Sequence, residues 1–130
     1  MTLIELLIVM LILGVLAAIA VPTFLNQKSK ASDTQAKSTA RTMQTAMETC
    51  STNNKGSYST CDLTALRAIE PTIPSTAVSL PGYLGMPYVV GMQSTTGNGF
   101  YIYRDTTNRI VRYCTVAASD RGGCRIGDTW

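Results

Sequence analysis

The sequence predicts an α+β fold in which one long N-terminal helix packs on a small antiparallel sheet of about three to four strands. Three observations support this prediction. Of the first 25 residues 20 are apolar, in a chain of 130 residues that is 45% apolar overall. A stripe of apolar residues at helical spacing follows, and β-branched and aromatic runs separated by turns fill the last third. We therefore divide the chain into an apolar helix, residues 1–25, and a single globular head, residues 26–130.

The first element is a helix that is apolar on every face. From Leu6 to Gln27 there are 22 residues without a charge, and a helix of this length extends about 30 Å, the thickness of the hydrocarbon core of a bilayer. A membrane-spanning helix is therefore predicted. A cleaved secretory signal is the weaker alternative, because the residues before the apolar run include Glu5 but neither Lys nor Arg.

Glu5 places a carboxylate beside this apolar segment, which costs about 2–3 kcal/mol on membrane-insertion scales unless the charge has a partner. Thr2 and Glu5 have the spacing of a capping box, in which the two residues bond to each other's backbone N–H groups at the helix N-terminus. Alternatively, Glu5 meets a cationic amine, either the chain's own N-terminus or that of another copy. The residues alone leave both interpretations open.

Charges and cysteines give opposite indications about where the head lies. The first basic residues follow the apolar segment, so the positive-inside rule favours a cytoplasmic head. They are Lys28, Lys30, Lys37 and Arg41. Four cysteines in a small domain indicate instead a disulfide framework in an oxidising compartment. They are Cys50, Cys61, Cys114 and Cys124. The two indications agree if a Lys- or Arg-containing leader precedes Met1 and is removed, and we expect such a leader.

The chain begins with Met1-Thr2-Leu3-Ile4-Glu5-Leu6-Leu7-Ile8-Val9 and continues as an apolar helix that contains Gly14 and Pro22. This segment of about 25 residues resembles the mature N-terminus of type IV pilins and of the related pseudopilins. The resemblance implies that a prepilin peptidase removes the leader after a glycine and that Met1, where the family usually has Phe, is then methylated. It also implies a subunit that crosses the inner membrane once and is assembled by the pilus machinery into a bacterial surface filament of identical subunits.

By the same resemblance, Glu5 meets the N-terminal amine of a neighbouring subunit and sets the axial register of the filament. A buried carboxylate with no partner in its own subunit is satisfied only by correct docking. Pro22 cannot donate to the helix ladder and Gly14 adds backbone freedom, so the helix is expected to bend or lose hydrogen bonds between them, as filaments of the family often do. An ordinary kink at Pro22, where the helix leaves the membrane, is an equal alternative.

Beyond Pro22 the helix is expected to continue to about residue 50, because apolar residues recur at helical spacing along one face. These are Ala36, Ala40, Met43, Met47 and Cys50. The other face carries Lys37, Thr39, Arg41, Gln44, Thr45 and Glu48. Turn residues at 51–57 end the helix, and a short second helix follows with Asp62 as its N-cap and Pro71 as its stop. Its apolar face is Leu63, Leu66 and Ile69.

The C-terminal part is predicted as an antiparallel meander of about three strands that packs against the helical stripe. The strands are expected at 87–92, 100–104 and 109–116, after an irregular connection that carries four prolines, 71–87. Among the three pairings that four cysteines permit, we expect the local one, Cys50 with Cys61 and Cys114 with Cys124, worth about 2–3 kcal/mol a bridge. The second bridge would bound a surface segment, 118–123, where pilins carry a variable disulfide-bounded region.

The composition argues against an enzyme. The chain has no His, which removes the commonest general base and the usual metal ligand. Its eight carboxylates never occur as a close pair in sequence, whereas a glycosidase dyad or an oxygen-rich cation loop needs several together. Neither cysteine pair has Cys-x-x-Cys spacing. We predict no catalytic site, no metal site and no cofactor.

The predicted function is that of a structural subunit of a type IV pilus, in a filament used for adhesion to host or abiotic surfaces, for motility or for DNA uptake. One alternative is the major pseudopilin of a type II secretion system, although family pseudopilins usually carry a calcium site and lack disulfides. Another is a DNA-capturing competence pilin, in which Arg109, Arg112 and Arg121 contact phosphates and nearby aromatic residues stack on bases. These aromatic residues are Tyr101, Tyr103, Tyr113 and Trp130. A solvated basic face is the plainer interpretation. A third is a monomeric protein that uses the helix only as a membrane tether.

Overall fold

The computed structural model describes residues 1–117 and 121–130. This part of the chain forms a long helix, a short helix and one four-stranded antiparallel sheet, and the predicted α+β fold class is confirmed. The helices are α1 (Leu3–Asn53) and α2 (Leu63–Ile69), and the strands are β1 (Val78–Pro81), β2 (Tyr88–Gln93), β3 (Gly99–Arg104) and β4 (Ile110–Thr115).

Helix α1 is a single helix of 51 residues, about 75 Å long. Its first part, to residue 28, is exposed on all sides, whereas burial begins at Asp33. From there the predicted stripe is buried: Ala36, Ala40, Met43, Met47 and Cys50. The helix runs through Gly14 and Pro22 without a break. The expected bend or loss of hydrogen bonds between those two residues concerns the assembled filament and stays a prediction.

Helix α2 begins and ends as its capping residues predict. The Asp62 side chain accepts a hydrogen bond from the backbone N–H of Ala65 at 2.9 Å, which satisfies one of the free donors of the first turn. The helix ends at Ile69, two residues before Pro71. Leu66 is fully buried against α1, while Ile69 stays partly exposed.

The sheet has the strand order β1-β2-β3-β4, and α1 packs across one of its faces. The register places Val90 opposite Ile102 and Phe100 opposite Cys114, and all four side chains are buried. Because side chains alternate between the two faces of a strand, Tyr101 lies on the face away from α1, where its ring stacks on Tyr113 at 5.2 Å between centroids. The three strands of the predicted meander are thereby confirmed as β2, β3 and β4.

The fourth strand, β1, lies within 71–87, where the sequence predicted only an irregular connection. It pairs with β2 through Ser79 opposite Val90 and Pro81 opposite Tyr88. A proline lacks the N–H that a central strand needs, but it is tolerated at the edge of a sheet. This proline-rich stretch therefore contains a short edge strand, and the expectation of an irregular connection was wrong for these four residues.

Two disulfides lie at the edges of the core. Cys50 and Cys61 join the end of α1 to the start of α2, and Cys114 and Cys124 join β4 to the C-terminal segment. The predicted local pairing is confirmed. All four cysteines are buried. Of the predicted surface segment 118–123, residues 118–120 lie outside the described residues.

Candidate functional site

The candidate functional site is the exposed apolar part of α1, residues 3–25. Within the described residues, one helix is long and apolar enough to cross a membrane, and none of its most apolar stretch is buried. Covering a large apolar side chain is worth about 1.5–3 kcal/mol, and every such side chain from Leu3 to Leu25 is exposed. This surface therefore needs a cover from outside the single chain, either lipid or protein.

The N-terminus of α1 has the capping box that its residues predict. The backbone N–H of Thr2 donates to Glu5 Oε2 at 2.8 Å, and the backbone N–H of Glu5 donates to Thr2 Oγ1 at 3.3 Å. The first of the two interpretations of Glu5 thus describes the single chain. Both residues are exposed, so the carboxylate is accessible to a second partner from another copy.

Asp33 anchors the sheet and the C-terminal segment to α1. The side chain is 0% exposed. Its carboxylate accepts hydrogen bonds from Thr96 Oγ1 at 2.7 Å, Asn98 Nδ2 at 3.3 Å and the backbone N–H of Gly123 at 2.8 Å. One residue of α1 therefore holds both the β2–β3 turn and the C-terminal disulfide segment.

The surroundings of Asp33 favour its ionised form, and the space beside its carboxylate admits only glycine at position 122. Burial by itself raises the pKa of Asp33, but the hydrogen bonds that the carboxylate accepts outweigh burial and hold the pKa below its ordinary value. A Cβ on Gly122, where φ is +49°, would lie 2.1 Å from Asp33 Oδ2. Glycine at 122 thus lets the C-terminal segment approach the carboxylate.

Glu48 is a second anchor, further along α1. It accepts hydrogen bonds at 2.8 Å from the hydroxyls of Tyr58 and Tyr88 and forms an ion pair with Arg104. Burial raises the pKa of Glu48, but these hydrogen bonds and the charge of Arg104 outweigh it, so the pKa lies below its ordinary value. The sequence placed Glu48 on the polar face of α1, and the structure shows that this residue lies at the margin of the sheet contact, where two of its partners come from β2 and β3.

Sequence reasoning did not single out Asp33, although a signal for it exists. Asp33 lies three residues before Ala36 and seven before Ala40, which extends the buried stripe by one helical step towards the N-terminus. The stripe was defined by apolar residues alone, so an acid at a stripe position was passed over. For Glu48 we find no comparable signal.

Of the three predicted DNA-contacting arginines, the structure places one, Arg112, beside a predicted stacking residue, Trp130. Arg112 lies with its Cζ 5.6 Å from the ring centre of Trp130. Arg121 Nη2 donates to Asp128 Oδ1 at 2.7 Å, and Arg109 lies in the β3–β4 turn, where its N–H donates to Asp105 Oδ1 at 2.8 Å. The stacked tyrosines lie on the sheet face away from α1.

A different set of cations converges on Trp130. Lys37 Nζ and Arg41 Cζ, both from α1, lie 5.9 and 5.4 Å from the ring centre, and Arg112 reaches it from β4. The pKa of Lys37 is lowered by burial and by the charges of Arg125 and Arg41, against the opposing effect of Asp33. Sequence reasoning named Arg112 and Trp130 together but did not identify the two cations from α1, Lys37 and Arg41, as members of this cation cluster.

No metal centre is found in the part of the chain that the structure describes. Within residues 1–117 and 121–130, no group of three or more His, Cys, Asp or Glu side chains is placed to hold an ion. The four cysteines are all in disulfides.

Comparison with known proteins gives one relative. The chain is 35% identical, over 103 residues, to the type IV major fimbrial protein FimA of Dichelobacter nodosus. The match covers 75% of this chain and 65% of the relative, so the chain spans just under two thirds of the relative's length. No protein-family model matches the chain, and no solved structure matches it.

The relative confirms the resemblance to type IV pilins that the N-terminal residues predict. That resemblance covered about 25 residues, whereas a match of 103 residues extends well into the head. By its name the relative is a type IV major fimbrial protein, which agrees with the prediction that this chain is not an enzyme.

Proposed function

We propose that the chain is a structural subunit of a type IV pilus, which polymerises through the apolar part of α1 and displays its head outward. One observation carries the proposal. The helix is apolar on all sides over residues 3–25 and is continuous with a folded head that covers none of this surface. A globular monomer leaves no such surface in water, whereas a helical bundle of copies buries it.

Before assembly, the apolar part of α1 spans the inner membrane once, with the head on the oxidising side where its two disulfides form. A prepilin peptidase frees residue 1, which is then methylated. The pilus machinery moves the helix from lipid into the protein core of the filament. The disulfides and the length of the apolar segment support this sequence of steps, and the family resemblance supplies the enzymes.

Glu5 sets the axial register of the filament by pairing with the N-terminal amine of the neighbouring copy. The accessible carboxylate supports this role, and Glu5→Gln tests it. Glutamine serves at the third position of a capping box as glutamate does, so the variant keeps the helix cap and removes the charge. We expect Glu5→Gln to insert in the membrane but to form few filaments. Filaments at the wild-type level would overturn the pairing and leave only the cap.

Electron microscopy of surfaces sheared from cells that express the chain tests the whole proposal, combined with mass spectrometry of the N-terminus. Long fibres that contain the chain with a methylated Met1 are the expected result. Short fibres confined to the periplasm favour the pseudopilin alternative. A chain found only as a membrane monomer would support the tether alternative and contradict the proposal.

Capture of DNA is a second candidate function, supported by the cation cluster at Trp130. Three cations lie within 6 Å of the indole ring. Because they already surround the ring, we expect this cluster to contact DNA phosphates rather than to stack on bases. The test is retention of duplex DNA by purified fibres at increasing salt. Replacing Arg41 and Arg112 by Ala should weaken retention and reduce the salt slope by about 2, whereas Lys55→Ala serves as a control. Retention that ignores salt or these replacements excludes the candidate.

A further inference from the structure

The C-terminal segment presents an apolar side chain on a braced turn. Ile126 is 92% exposed and lies at the tip of a turn that is closed by the N–H of Asp128, which donates to the carbonyl oxygen of Arg125 at 3.1 Å. Arg121 Nη2 braces both ends of the turn, donating to the carbonyl oxygen of Arg125 at 2.9 Å and to Asp128 Oδ1 at 2.7 Å. A side chain held on a rigid turn loses little conformational entropy when a partner covers it.

A groove that suits such a side chain lies between α1 and α2. It measures about 320 Å³ and is lined by Thr42, Thr45, Ala46, Thr49, Ile69 and Glu70. The hydroxyls of its three threonines donate to helix carbonyl oxygens four residues back, at 2.9–3.2 Å. Because these hydroxyls already have hydrogen-bond partners, an apolar side chain can cover the α1 wall without leaving them unsatisfied. Ile69, 38% exposed, forms the opposite wall.

The charges beside the two surfaces are complementary. Arg125 is exposed next to Ile126, on the side of the head that also carries the cation cluster at Trp130. Glu70 lies at the edge of the groove; its Oε1 accepts from Thr72, which leaves Oε2 to face a partner. The charged residue within α2, Arg67, donates from Nε to the carbonyl oxygen of Ile73 at 3.1 Å.

We propose that Ile126 and Arg125 of one copy dock in the α1–α2 groove of a second copy, against Ile69 and Glu70. The turn lies beside β4, where the backbone N–H of Cys114 donates to the carbonyl oxygen of Asp128. Helix α2 lies at the other edge, beside β1, where Ser79 Oγ donates to the carbonyl oxygen of Cys61, two residues before the helix begins. These are opposite edges of the sheet, so the contact is head-to-tail and propagates along a filament rather than ending at a dimer. The proposal rests on the proposed function and adds a contact between heads.

Photo-cross-linking in assembled fibres tests this contact. A photo-reactive benzoylphenylalanine replaces Ile126, and the linked peptides are identified by mass spectrometry. We expect cross-links between copies to the peptides that contain residues 42–49 or 69–70. The same group in place of Leu84, which is 79% exposed on the β1–β2 loop, is the matched control and should not reach those peptides.

The outcomes separate this proposal from the proposed function. If the unmodified chain forms no fibres, the proposed function fails. If fibres form and position 126 links to other peptides, to a different protein or to nothing, the docking contact is wrong and the filament stands.

Charge reversal gives a second measurement that needs no cross-linker. Arg125→Glu and Glu70→Arg should each lower the yield of fibres that survive shearing by about fivefold, the effect of about 1 kcal/mol at a solvent-exposed pair. The double variant should restore the yield. Arg125 is exposed and Glu70 is partly exposed, and neither belongs to the buried core, so we expect the head to stay folded. A double variant that is no better than the two single variants would contradict the contact.

Discussion

The two halves of α1 belong to one helix but meet different requirements. The second half, from Asp33 onward, is fixed to the sheet by two carboxylates whose partners come from other elements of the same chain. The first half carries one charged side chain before Lys28, Glu5, and its bonds in the single chain are to Thr2. In the head, polar anchors thus select one internal packing, whereas the one charge of the apolar half is bonded, among the described residues, only to Thr2 and stays exposed.

Removing the apolar half is the most severe test of the contrast between the two halves of α1. A chain that begins at Ser29 should lose membrane association and filament assembly completely, since the proposed function places both on the removed surface. Its head should melt within a few degrees of the head in the full-length chain in detergent, because residues 1–28 contain no buried residue.

Thermal unfolding followed by circular dichroism measures this effect. A chain that begins at Arg41 is the control: it also loses Asp33, Ala36 and Ala40, all of them buried, and should not fold. If the shorter truncation unfolds as well, the head depends on the apolar half and the proposed division is wrong.

Asp33→Ala should have the next largest effect, about 3–5 kcal/mol off the free energy of unfolding of the head. The substitution removes a buried carboxylate and leaves the donors from Thr96 and Gly123 without their acceptor. Denaturant titration measures the loss. Thr34→Ala, at the exposed neighbouring position, should change stability by about 0.5 kcal/mol or less. Equal effects at the two positions would contradict the anchor role of Asp33.

The sequence predicted those parts of the fold that depend on local patterns. The helices and three strands follow from residue spacing within short windows, and the capping boxes and caps at Thr2 and Asp62 follow from neighbouring residues. Strand β1 was missed because Pro81 argues against a strand unless one knows that the strand lies at an edge.

The anchors could not be predicted in the same way, because their partners are distant in sequence. Thr96 and Gly123 lie 63 and 90 residues beyond Asp33, and Arg104 lies 56 residues beyond Glu48. No local window contains both ends of such a contact. The cation cluster at Trp130 was missed for the same reason, since Lys37 and Arg41 come from α1 and Arg112 from β4.

Acid should weaken the head through these two anchors, by a smaller amount than the loss of Asp33. Asp33 and Glu48 have pKa values below their ordinary 3.8 and 4.5 in the folded chain. A carboxyl group with a lowered pKa in the folded state contributes stability at pH values above its ordinary pKa, and the contribution is lost as the pH falls through the folded value. We therefore expect a constant contribution at pH 5–7 and a fall in the free energy of unfolding below about pH 4.5.

Denaturant titrations at pH 7, 5 and 3 measure this dependence. The double variant Asp33→Asn with Glu48→Gln should be less stable than the original chain at pH 7, and the difference should shrink at pH 3. An undiminished difference at pH 3 would show that packing, rather than the two negative charges, accounts for the loss.

The smallest expected effect comes from removing the helix N-cap in each of the two regions. Thr2→Ala and Asp62→Ala each remove an N-cap, which costs its own helix about 1 kcal/mol. Asp62 caps a helix whose Leu66 is fully buried and whose start is tied to α1 through Cys61, so its loss should lower the melting temperature of the head by a few degrees.

Thr2 caps the first turn of α1, some thirty residues from the first buried side chain, and a frayed end opens locally without opening the core. Thr2→Ala should therefore speed amide exchange in the first turn while the head melts as before. A melting temperature lowered equally by both substitutions would mean that the two halves of α1 unfold as one unit, and the contrast between them would be lost.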